Sequence, residues 1–135
     1  MQLVLSTNYL NTYLHQDYNI LYSEWTESAS KISREEFKQH IVDFLERIKK
    51  YKVRGFLTNS QKGHFTMDVG VQEWHDKEIA PHYIANGLKK IGFVLPEKDF
   101  FAAISLQQTF DETHAQQLQT KFFNTVEDAM NWIKD

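Results

Sequence analysis

Short apolar runs alternate along this chain with stretches whose apolar residues recur every third or fourth position. The runs are Asn19–Trp25, Val53–Thr58, Lys90–Leu95 and Lys121–Phe123. Strands separated by helices predict a largely parallel sheet, because parallel neighbours need a helical crossover between them. The first part of the chain reads differently. Leu3 and Leu5 alternate with polar residues, the alternation resumes from Tyr9 to Leu14, and His15-Gln-Asp17 has the composition of a turn. With Tyr18–Trp25 as the following strand, this predicts an antiparallel hairpin at the start of the sheet.

The helices announce themselves at their ends. Ser33-Arg-Glu-Glu36 is a capping box, and Ile32 and Phe37 stand where a hydrophobic staple requires them. Phe37, Ile41, Phe44, Leu45 and Ile48 then form one stripe, and Arg47, Lys49 and Lys50 lie at the negative end of the dipole. Val53–Thr58 is continuously apolar, as suits a strand covered on both faces. The loop after it, Asn59–Gly70, is longer than most connections of its kind, and long loops are often functional. A second helix carries Val71, Trp74 and Ile79 inward, with a kink or restart at Pro81 and a cap at Gly87. After the strand Ile91–Leu95, Asp99 opens a third predicted helix with Phe100, Ala103 and Ile104, which breaks near Ser105. Glu112–Thr120 reads as irregular. Phe122 and Phe123 form a short strand, and Asn124 caps a last helix that buries Val126, Ala129, Met130 and Ile133. The expectation is one α/β domain over 1–135, with a mixed, mostly parallel sheet of about five strands and about four helices.

Composition narrows the function. Ten Phe, six Tyr and three Trp supply either a dense core or a ring-lined cleft for an apolar ligand. A net charge of −3 gives no general pull towards a polyanion. Without cysteine there is no disulfide, zinc ribbon or thiol nucleophile. No apolar stretch approaches the roughly 20 residues of a membrane helix, and Met1-Gln-Leu-Val-Leu-Ser6 lacks a basic n-region, so a cytoplasmic protein is expected.

Reactive groups do not assemble into a known pattern. His75, Glu78 and His82 have ligand-like spacing, but Pro81 interrupts their geometry and no HExxH is present, so no metal is expected. His64 and Asp68 lie in the long loop without a nucleophile beside them. The basic cluster Arg47, Lys49, Lys50, Lys52 and Arg54 is explained by the helix dipole and lacks stacking rings, which argues against nucleic acid. No Gly-rich phosphate loop occurs, and no cofactor is expected.

The order of elements, with Glu73-Trp74, the stretch Gly87-Leu-Lys-Lys-Ile-Gly-Phe-Val-Leu-Pro96 and the ending Phe123-Asn-Thr-Val-Glu-Asp-Ala-Met-Asn-Trp132, resembles the SpoIIAA-like (STAS/SEC14-type) small proteins of bacteria from about Tyr9 onward. The resemblance implies a sheet with a helical layer as in anti-sigma-factor antagonists, a fold also related to lipid carriers. Those antagonists carry an Asp-Ser pair, phosphorylated on the serine, at the start of a helix. Here Thr58-Asn59-Ser60 stands in that place, with Asn59 for the acid and several residues between Ser60 and the helix, which weakens Ser60 as a phosphorylation site.

Ligands of open α/β sheets favour the crevice beyond the carboxyl ends of the strands. The binding residues expected there are Asn59, Ser60, His64 and Trp74. The expected role is a non-enzymatic binding or regulatory module, for a protein partner or a small apolar, lipid-like ligand. An enzyme would have to use His64 or His75. A homodimer through an exposed sheet edge is a further arrangement open to such a domain.

Overall fold

The computed structural model describes residues 1–96, 104, 107, 108 and 118–135. Six strands form one sheet in the order in which they occur in the chain: β1 Gln2–Ser6, β2 Leu10–His15, β3 Ile20–Trp25, β4 Gly55–Asn59, β5 Lys90–Val94 and β6 Gln119–Phe123. The first two pairings are antiparallel and the last three parallel. Six strands replace the expected five because the chain reverses between Ser6 and Leu10. The Thr7 amide donates to the Leu10 carbonyl and the Thr7 hydroxyl accepts from the Tyr9 and Leu10 amides. The expected N-terminal hairpin is therefore a three-stranded meander.

Helix α1, Arg34–Tyr51, begins with the capping box its sequence predicts. The Glu36 amide donates to Ser33 Oγ and the Ser33 amide donates back to the Glu36 carboxylate, both at 3.1 Å. These bonds hold the Glu36 carboxyl below its ordinary range. Ile32 and Phe37 are both buried, completing the staple.

Between β4 and β5, α2 (Val69–Trp74), a π-helical segment (His75–Ile79) and α3 (Ala80–Ala85) run on without a break. Pro81 does not restart the helix. Its missing amide is accommodated by the wider π turn immediately before it. The end is a Schellman motif: Gly87, at φ 86°, donates to the Ile84 carbonyl and Leu88 to that of Tyr83. Helix α4, Val126–Lys134, is capped by Thr125, whose hydroxyl accepts from the Asp128 amide, rather than by Asn124. Most of the helix expected from Asp99 and most of the stretch Glu112–Thr120 lie outside the described residues; of that helix's expected apolar stripe Ile104 is described, and it is helical but exposed, while Gln119 and Thr120 belong to β6.

Strand alternation sorts the core into two layers. Leu21, Trp25, Phe56, Ile91 and Phe93 face α1, α2 and α3; Ile20, Tyr22, Leu57 and Val94 face α4. Helix α4 lies across β4, β5 and β6. β4 is thus covered on both faces, as its unbroken apolar run requires. No helix among the described residues is long and apolar enough to cross a membrane.

Candidate functional site

Because β3 to β6 run parallel, their carboxyl ends gather at one end of the sheet. On the α1 side of that end lies a cavity of about 60 Å³. Its floor is Phe56, Thr58, Ile91 and Phe93 from the sheet, with Trp25 at one side. Phe37, Ile41 and Phe44 of α1 form a wall, His75 and Tyr83 another, and the loop after β4 contributes Ser60, His64, Phe65 and Met67. Half of the lining residues are Phe, Tyr or Trp, one of the two arrangements the composition allowed, and Thr58, Ser60, His64, His75 and Tyr83 carry polar side chains.

The four residues expected at the site separate. Thr58 and Ser60 share the parity of Phe56 and line the cavity. Asn59 belongs to the opposite face, where its amide donates to the Tyr22 hydroxyl at 3.2 Å. Ser60 is buried, its amide donating to the Val94 carbonyl at 2.8 Å, so it is not the exposed loop serine that a kinase would engage. His64 is half-buried and lines the cavity. Trp74 does not. It is half-buried at the edge of the core with Lys38 Nζ 5.2 Å from its ring centre, and its neighbour His75 turns inward instead.

Trp25 takes the place expected of Trp74. β3 is an interior strand and the indole at its end is 6% exposed. Its Nε1–H donates to Thr58 Oγ1 at 3.1 Å, and the ring stacks on Phe37 at 5.8 Å. The register Ser23↔Thr58 places Thr58 beside the strand that ends in Trp25.

The loop from Ser60 to Asp68 has no regular structure but is held at several points. Asn59 Oδ1 accepts from the Gln61 amide, and the Gln61 side chain reaches the Asn124 carbonyl at 2.8 Å. Gly63 lies so close to the Thr26 carbonyl that no Cβ fits there. Phe65 stacks on Phe37 with ring centres 4.4 Å apart. Asp68 caps α2 through the Val71 amide and approaches Arg34 at 3.4 Å. The loop thereby covers the cavity.

His75 and Tyr83 form the polar end of the cavity, His75 Nε2 standing 3.3 Å from the Tyr83 hydroxyl. Residues eight apart on a regular α-helix are separated by about 80°. The π segment between them adds about one residue to the turn count and brings both to one face. Both are buried. Burial pushes the His75 imidazole down to about 4 against a small opposing effect of Asp76, and it pushes the Tyr83 hydroxyl up, so both are neutral at neutral pH.

His75 does not converge with Glu78 and His82, which are exposed. No cluster of three His, Cys, Asp or Glu that could hold a metal occurs among the described residues. Among the five basic residues at and just after the end of α1, Arg47 donates to the Val4 and Asp43 carbonyls, Arg54 to those of Tyr18 and Lys134, and Lys50 Nζ stands 5.2 Å from the Tyr51 ring centre.

The fold and site thus define an α/β domain with a ring-lined cavity at the carboxyl end of its parallel strands. No protein-family model, curated protein or solved structure matches the chain.

Proposed function

We propose that this chain is a non-enzymatic, STAS-like binding module that holds a small apolar ligand in the cavity under the loop after β4. The observation that carries the reading is the cavity itself. Rings from β3, α1, β4 and β5 converge at the sheet end where α/β proteins take ligands, and a tethered loop covers them. STAS-like kinship is supported by the order of elements, with antiparallel strands first and β–α units after them in sequential strand order.

The cavity volume bears on the ligand. About 60 Å³ is well under the ~150 Å³ cavity known to accept benzene, so an occupant of ring size or larger requires the covering loop to give way. A regulatory role through modification of Ser60 receives less support, since that serine is buried.

The test is native mass spectrometry of freshly purified protein, followed by identification of small molecules released on denaturation. The wild-type chain is expected to carry or take up a small ligand, and Ser60→Leu, which fills the cavity, to lose it. A wild-type chain that takes up no small apolar molecule refutes the reading.

A further inference from the structure

We propose that the rim at the amino ends of the parallel strands docks this chain on the surface of an anionic phospholipid membrane. That rim lies at the opposite end of the sheet from the cavity, and the inference does not depend on it.

The topology builds the patch. Each crossover returns the chain to the amino end of the next parallel strand, so α1 and α3 both end at this rim. Helix α4 ends there too. The Arg54 guanidinium donates to the Lys134 carbonyl at 2.6 Å, and Lys90 Nζ donates to that of Trp132 at 3.1 Å. The Arg54 amide bonds to Asn19 and the Lys89 amide to Arg54, which sets these residues side by side. To Arg54, Lys90 and Lys134, which are half-buried, the rim thus adds the exposed Lys49, Lys52 and Lys89. Against them stand Asp17, in the turn before β3, and Asp135, after α4. None of the six cations forms an ion pair with a described carboxylate; the pair Arg34–Asp68 belongs to the other end of the sheet. The helix dipole favours a cation at each helix end, but Lys52 and Lys89 lie outside the helices.

Exposed apolar groups occupy the same corner. Tyr18 is 40% exposed, with the His15 ring 5.0 Å away on one side and Lys134 Nζ 4.7 Å from its ring centre on the other. Leu3, paired with Tyr13 near the start of β1, is 52% exposed. A cationic surface edged by an aliphatic side chain and a phenol suits the boundary between headgroups and acyl chains. Five of the six cations are lysines, point charges on flexible stems that match mobile headgroups. The one arginine already gives donors to two carbonyls, and Tyr18 by itself is no stacking platform for bases.

The experiment sediments the full chain with phosphatidylcholine vesicles containing about one-third phosphatidylserine, and with vesicles of phosphatidylcholine alone. Duplex DNA, followed by fluorescence anisotropy, is the competing polyanion. The chain is expected to bind the anionic vesicles and not the neutral ones, and to be released at about 1 M salt, where screening acts within ~3 Å. Lys49→Gln with Lys89→Gln should weaken vesicle binding roughly 25-fold, at about fivefold per charge. Lys31→Gln with Lys62→Gln, which removes the same charge at the other end, should change it less than about twofold. Leu3→Ser with Tyr18→Ser should weaken it roughly tenfold, an effect that a purely ionic contact would not show.

Equal binding to the two kinds of vesicle, binding to neither, or equal losses from the two lysine pairs would overturn the proposal. So would DNA binding as tight as vesicle binding together with indifference to Leu3 and Tyr18, which would make the rim a general polyanion site.

Discussion

His75 is a histidine held neutral inside an apolar layer, and its energetic signature is calculable. Its folded pKa of about 4 lies below the ordinary 6.5, so between these values the unfolded chain binds the extra proton. Stability from this group is therefore fully present above pH 6.5 and is lost as the pH falls towards 4, by about 3 kcal/mol in all. Urea titrations of wild type and His75→Phe at pH 7 and pH 4 should show the stability difference between them shift by that amount in favour of the variant in acid. A difference independent of pH would mean that the imidazole titrates normally. Gly63 offers a purely steric test. Gly63→Ala places a methyl group against the Thr26 carbonyl and should cost about 1–3 kcal/mol, read from the urea midpoint. Phe65→Ala removes the ring clasped on Phe37 and should expose the cavity. In a background with Trp74 and Trp132 replaced by Phe, acrylamide should then quench Trp25 emission more strongly than in the same background with Phe65 intact.

At the scale of elements, the local signals act where they are read. Ser33→Ala removes the acceptor for the Glu36 amide and should cost about 1 kcal/mol, measurable by thermal or chemical unfolding. The Schellman end at Gly87 follows from Asn86-Gly87 in the same way. The second helix shows where local reading falls short. Pro81 signalled an interruption, but whether a helix meets proline by breaking or by widening depends on what its two halves must pack against. Here both halves belong to one face over the sheet, so the helix widens across His75–Ile79. That extra residue turns His75 inward and leaves Trp74 at the margin beside Lys38, reversing the assignment that a regular helix suggested.

The molecule as a whole is one sheet with helices on two sides, and β4 joins the layers. Leu57 is fully buried in the α4 layer while Phe56 belongs to the other. Leu57→Ala should cost about 2–5 kcal/mol and lower the midpoint of a single cooperative transition monitored by far-UV circular dichroism and tryptophan emission together. Separated transitions for the two probes would show that the layers unfold independently.

Several features are written in the chain as short-range chemistry. The capping box at Ser33, the apolar stripe of α1, the two-sided run at β4 and the glycine cap at Gly87 each depend on neighbours within a few residues. The sequence therefore specified the α/β order, the interior place of β4 and the long loop beside its carboxyl end. Its ring content left open whether the rings would form a dense core or line a cleft. Which side chains enter that cleft was decided only by the tertiary structure. Strand parity sends Asn59 to one face and Ser60 to the other, β3–β4 pairing brings Trp25 to Thr58, and the π segment exchanges Trp74 for His75. Each of these depends on contacts between residues far apart in the chain, where pairing register and helix rotation are set by packing rather than by local propensity.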